Sequence, residues 1–304
     1  MFKNKSSSTK IMLGLGAAAA LATGSALMPA SARGNIFVTN FSNNTIGEYT
    51  NAGGTVNASL VTRLDEPNGI AVSGSDLFVA NYGNSTMGEY TITGGTVNAS
   101  LVTGLNGPYG IAVSGSDLFV SNYGNSTIGE YTITGGTVNA SLVTGLNSPT
   151  DIAVSGSDLF VSNYGNNTIG EYTITGGTVN ASLVTGLNGP SGIAVSGSDL
   201  FVTNEGNNTI GEYTTSGGTV NASLVTGLGE PNGIAVSGSD LFELNTANNT
   251  IGEYTTAGGT VNASLVTGLD YPDSIAVVPE PATLALLAVG GLGLLLKRRR
   301  KAIA

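Results

Sequence analysis

A 41-residue unit recurs six times along this 304-residue chain, and no other feature constrains the fold as much. The Gly-Glu-Tyr triplet marks it most clearly. Its glutamates are Glu48, Glu89, Glu130, Glu171, Glu212 and Glu253, each 41 positions after the last. A second marker, Pro-x-x-Ile-Ala-Val, begins at Pro67, Pro108, Pro149, Pro190, Pro231 and Pro272. Self-similarity at a fixed period of this length signals a repeat architecture, in which each unit buries its apolar face against its neighbours. Six such units account for residues 33–278.

One copy, Gly104 to Thr144, reads as four strands. Ile111-Ala112-Val113 is a short apolar run, suited to a strand buried on both faces. Ser114 to Asp117 is a tight turn, and Leu118 to Ser121 is a second strand. After the polar loop Asn122 to Asn125 comes a third strand, Ile128 to Thr132. Gly135-Gly136 turns the chain into a fourth, Val138 to Val143, whose alternation of Val138, Ala140 and Leu142 with Asn139, Ser141 and Val143 predicts a half-exposed outer strand. No segment of the unit has helical spacing.

Four short strands in about 40 residues is the size of a β-propeller blade; a parallel β-helix, the alternative, needs shorter coils. Pro108 to Val113 and Leu118 to Asn122 resemble the NHL and YVTN classes of propeller repeat, and Ile36-Phe37-Val38-Thr39-Asn40 is the copy most similar to the YVTN signature. The predicted fold is an all-β, six-bladed propeller of four-stranded antiparallel blades. The last copy supplies only a first strand, Ile275-Ala276-Val277, and the first copy lacks that strand. One blade is therefore expected to be assembled from both ends of the repeat array, which removes an open edge.

The flanks read as addresses. Residues 1–32 have a basic start, an apolar stretch from Ile11 to Leu27, and the small-x-small pattern Ala30-Ser31-Ala32 that signal peptidases cut after. Residues 279–304 hold Pro279-Glu280-Pro281, an apolar run from Ala282 to Leu296, and the basic cluster Lys297 to Lys301. As a helix that run spans roughly 22 Å, short for a bilayer core of about 30 Å. Its basic end predicts a short transmembrane helix with the body outside. This ensemble resembles the PEP-CTERM sorting signal. The resemblance implies an exosortase partner, removal of the tail, and delivery to the cell surface or extracellular matrix of a Gram-negative-type bacterium, in association with exopolysaccharide. A plain C-terminal membrane anchor is the alternative.

Charge divides the chain in the same way. Between the flanks stand two basic residues, Arg33 and Arg63, against nineteen acidic ones, a net of −17. That excludes a nucleic-acid partner, whose phosphates require Lys and Arg. The chain contains no cysteine, histidine or tryptophan. Disulfides, most zinc sites and Ser-His or Cys-His nucleophile systems are thereby removed.

Differences between copies locate the candidate site. Copies Gly104–Thr144 and Gly145–Thr185 differ at four positions, all in the loop entering strand one or the loop after strand two. In antiparallel order these loops emerge on one face. That face collects Phe41, Tyr82, Tyr109, Tyr123, Thr150, Asp151, Tyr164, Glu205 and Asp273, which form the candidate ligand-binding set. Tyrosines combine an apolar ring with a hydroxyl, which suits sugar rings or protein surfaces; neutral variation in loops is the competing explanation. The Gly-Glu-Tyr glutamates occupy one position in six different blades and cannot converge on one ion, whereas calcium needs six to eight oxygens at one point. Asn-Ala-Ser, at Asn57 and its five equivalents, reads as strand chemistry. Glu205, Glu243, Asp151 and Asp273 break the repeat with acids; an axial calcium like that of lactonase-type propellers needs several of them on the channel. No cofactor is expected. The leading expectation is a non-catalytic module that binds or scaffolds matrix, with exopolysaccharide or a surface protein as partner. The alternatives are a purely structural adhesion protein and a calcium-dependent lactonase-like hydrolase.

Overall fold

The structure, a computed structural model, describes residues 34–278. The expected signal peptide with Ala30 and Ala32, and the sorting segment from Pro279 to Ala304, lie outside the described residues. Twenty-four strands, numbered in chain order, form six separate four-stranded antiparallel sheets. The sheet of the Gly104 copy is representative: β8 (Pro108–Ser114), β9 (Asp117–Asn122), β10 (Thr127–Thr132) and β11 (Thr137–Val143), in that order from the axis outward. The closing sheet has the order β24 (Pro272–Val278), β1 (Asn35–Asn40), β2 (Thr45–Thr50), β3 (Thr55–Val61). It is built from both ends of the array, with Asn35 opposite Val278. The first strands β4 (Pro67–Ser73), β8, β12 (Pro149–Ser155), β16 (Pro190–Ser196), β20 (Pro231–Ser237) and β24 each touch the next, and β24 touches β4. Six inner strands thus close a ring, as the repeat predicts.

No sheet has a core of its own. Each apolar cluster straddles two blades. In one of them Phe119, Ile128, Val143 and Leu146 of one blade meet Ile152, Leu159, Val161 and Tyr172 of the next. Leu118, Phe119 and Val120 are each at most 1 % exposed, because successive strand side chains point to opposite faces and both faces meet a neighbour. Burying each such side chain contributes about 1.5–3 kcal/mol. The Gly-Glu-Tyr triplet has a local cause. Gly129 and Tyr131 lie on one face of β10, and a Cβ on Gly129 would stand 2.8 Å from the Tyr131 ring. The tyrosine folds back over the glycine and keeps its ring in the inter-blade seam.

The outer strand departs from the half-exposed alternation. Thr137 to Ser141 are exposed on both faces, Leu142 is half-buried, and only Val143 is buried. The register explains this: Ile128 pairs with Val143 but Glu130 with Asn139, so β11 carries extra residues and bows away from the sheet. Asn139 Oδ1 accepts the Ser141 amide at 3.1 Å across this bulge, and the same bond recurs at Asn57, Asn98, Asn180, Asn221 and Asn262. Asn-Ala-Ser is a bulge device that also blunts the sheet edge.

Glu243 lies off the channel. It sits in β21 (Asp240–Asn245) where the other blades have Val38, Val79, Val120, Val161 or Val202, and it is fully buried. That position faces the preceding blade, where the apolar cluster of Phe201, Ile210 and Tyr254 lacks its valine. Glu243 Oε2 accepts from Asn245 Nδ2 at 2.7 Å, and Oε1 has no partner. Burial pushes its carboxyl well above the usual range. A buried polar atom without a partner costs about 1–3 kcal/mol. Glu243→Val, which restores the residue of the other five blades, is expected to stabilise the protein by about 2 kcal/mol and raise the melting temperature by roughly 5 °C, read by differential scanning calorimetry.

Candidate functional site

The two loops that vary between copies open on one mouth of the ring, where they form a cavity of about 440 Å³. That is within the usual size of small-molecule sites, roughly 300–1,000 Å³. Its walls carry Phe41, Tyr82, Tyr123, Tyr164 and Glu205, each the residue after the strand-two asparagine. Its floor carries Asn68, Tyr109, Thr150, Ser191 and Asp273, each the residue after the proline that opens a first strand. Eight of the nine residues singled out in the sequence line this cavity. The ninth, Asp151, lies beneath the floor, beside Gly110 and Gly192. Asn68, Ser191 and Tyr271, which vary with the other residues around the repeat's proline, also line the cavity, as does Ser42. Tyr271 occupies the position held by Gly107 and Gly189 in other copies. Its backbone is left-handed, with φ +51°, unusual for a bulky residue. Its ring stands 5.7 Å from that of Phe41, while Tyr109 and Tyr123 stand 6.0 Å apart at 35°.

Beneath the floor the axis is closed by backbone. A Cβ on Gly69 would meet the Tyr109 carbonyl oxygen at 2.1 Å, and Gly110, Gly192 and Gly233 lie similarly close to the next inner strand, while Asp151 and Ser274 hold this position in the other two blades. Hydroxyls of the second strands tie this ring together. Thr39, Ser121 and Thr203 each donate to a floor carbonyl of the next blade, those of Asn68, Thr150 and Asn232, at 2.6 Å. The result is a cup with a floor, not a pore.

Acids interrupt this scheme at two floor positions. Asp151 replaces a glycine and reaches the next blade: its Oδ2 accepts from the Ile193 amide at 3.1 Å and its Oδ1 from the Ile152 amide at 2.9 Å. Burial pushes its carboxyl up to about 6, against the pull of those two amides. Asp273 Oδ1 accepts from Asn232 Nδ2 and from the Tyr109 hydroxyl, the latter at 3.3 Å; Oδ2 has no partner. Burial pushes Asp273 up to about 7; Tyr109 and Asn232 oppose the shift, while Asp151 and Glu205 add to it. Glu205, on the wall, is raised by burial and then by Glu230. Among the described residues no three carboxylates come together as a metal-holding group.

Both floor aspartates hold their protons more tightly in the folded chain than in the unfolded one. Their contribution to stability is therefore full below the ordinary carboxylate value of 3.8 and is lost as pH rises through about 6 and 7. The melting temperature should fall between pH 5 and pH 8. Asp273→Asn, which keeps an acceptor for Tyr109, should reduce that slope and melt higher than the parent at pH 8, measured by thermal unfolding across the pH series.

Fold and cup together define a six-bladed propeller with an aromatic, acid-floored cavity at one mouth. The chain belongs to the virginiamycin B lyase family, whose model matches residues 19–295. A catalytically inactive histidine-to-alanine variant of virginiamycin B lyase from Staphylococcus aureus, solved with quinupristin, is similar in fold. It has a TM-score of 0.62 and 22 % identity over 81 % of this chain and 88 % of that one. A streptogramin B lyase structure matches with a TM-score of 0.61 and 24 % identity, over 82 % and 88 % of the two chains. A chain of a nidogen/laminin complex reaches a TM-score of 0.69 at 16 % identity, over 82 % of this chain and 99 % of that one. At these identities the likeness is one of fold. No curated protein sequence matches the chain.

Proposed function

We propose that this protein is an exported, non-catalytic member of its family that binds extracellular polysaccharide through the aromatic cup. The observation that carries the reading is a convergence. The two cup-side loops of each copy gather six aromatic rings, Phe41, Tyr82, Tyr109, Tyr123, Tyr164 and Tyr271, around one cavity. Aromatic faces pack against the apolar faces of sugar rings while tyrosine hydroxyls meet their polar edges. The absence of catalysis is supported by composition. The Staphylococcus aureus lyase variant described as catalytically inactive has lost a single histidine, and this chain contains no histidine at all. Export and a surface address rest on the flanking segments. Asn35 and Val278 pair at the face opposite the cup, so a tether leaving after Val278 directs the cup outward.

Family membership favours a second reading, a lyase-like or calcium-dependent lactonase-like hydrolase using the raised carboxyls of Asp151 and Asp273. The two readings separate in one set of measurements. Titration calorimetry with matrix polysaccharide fragments should show binding that Tyr109→Ala or Tyr164→Ala weakens about tenfold, ~1.4 kcal/mol. Incubation with quinupristin, with and without divalent cations, should give no new chromatographic species. Absence of binding to any matrix polymer, or binding indifferent to both tyrosines, would overturn the proposal. A new product that forms only with the protein would establish the second reading instead.

A further inference from the structure

The cup is one-sided in charge. Arg63 is the one basic side chain among the described residues, and it does not line the cavity. Glu205 stands on the wall and Asp273 at the floor. Asp273 is 4 % exposed, and its Oδ2 lacks a hydrogen-bond partner even though Oδ1 has two. A buried carboxyl that the protein's own groups leave half unanswered, in a cup whose wall carries Glu205, favours a ligand bearing positive charge, which lowers the cost of ionising it. The walls point the same way. Tyrosine faces attract a cation within about 6 Å of the ring centroid, and Tyr109 of the floor and Tyr123 of the wall stand 6.0 Å apart in the cup. Glu205 is close enough to raise the phenols of Tyr164, Tyr109 and Tyr271, so carboxylate and aromatic faces share one space.

We propose that the cup selects a sugar bearing a protonated amine, a hexosamine without its N-acetyl group, placing the ammonium between Glu205 and the Asp273 floor and the sugar ring on the tyrosine faces. This inference rests on the polysaccharide-binding reading above and names its ligand class. A neutral hexose would offer Glu205 and Asp273 no opposite charge, and an acidic sugar would meet the like charge of Glu205. An N-acetylated hexosamine brings a neutral amide in place of the ammonium and gains neither the ion pair nor the cation–aromatic attraction.

The test compares three tetrasaccharides by titration calorimetry at pH 6.5: fully deacetylated glucosamine oligomer, its N-acetylated counterpart, and a neutral glucan oligomer. The deacetylated oligomer is expected to bind one-to-one and at least tenfold tighter than the other two. Glu205→Gln should cut that preference to threefold or less, and so should Asp273→Asn. Asp117→Asn, in a turn on the opposite face, should leave it unchanged and so controls for the net negative charge of the body. Equal binding of all three oligomers overturns the amine inference while the polysaccharide reading stands. No binding of any oligomer or matrix polymer removes the reading beneath it as well. A preference that survives Glu205→Gln and Asp273→Asn, or that falls equally in Asp117→Asn, assigns it to bulk charge and overturns the proposal. Thermal unfolding of each variant verifies that the cup remains folded.

Discussion

Every apolar cluster in this protein lies between two blades, so stability resides in the seams. A single four-stranded sheet with Leu-Phe-Val on its second strand exposes apolar side chains on both faces and cannot bury either alone. Joined in a row, five such sheets would still leave two open faces. Pairing β1 with β24 closes the ring and gives Phe37 and Ile36 their separate seams. In a chain without disulfides, this closure replaces the covalent staple. It also fixes the direction of everything else: the chain enters and leaves the ring at one mouth, and the cup opens at the other.

A ring of near-identical units tolerates individuality only where packing does not forbid it. The seams repeat almost without change, and where Glu243 replaces their valine it is buried with an oxygen unanswered. The cup-side loops carry most of the differences. There the protein accommodates features that cost stability: left-handed backbone at Tyr271, and carboxyls of Asp151 and Asp273 pushed up toward neutrality by burial.

Much of this was legible before the structure. Strand positions, blade count, closure and the variable face follow from counting 41 and from which positions differ. What was not legible depended on side-chain direction. Thr150 and Asp151 are neighbours in sequence, yet Thr150 lines the cup and Asp151 lies beneath it, because adjacent strand residues point to opposite sides. Glu205 and Glu243 are both acids that break the repeat, yet one stands on the cup wall and the other in a seam. The outer strand misled for another reason: its alternation is real, but the bulge anchored by Asn139 lifts it from the sheet before the pattern can act.

The sequence by itself determined the period, and the period dictates blades, seams and ring, since a unit with two apolar faces has no other economical way to bury both. Tertiary structure alone decided which of the scattered differences meet. Tyr82, Tyr164, Tyr271 and Asp273 come from different copies, and their convergence depends on the angle each blade takes around the axis and on a floor closed by Gly69 and its equivalents. A linear repeat records that its units differ; only closure into a ring brings those differences to one place.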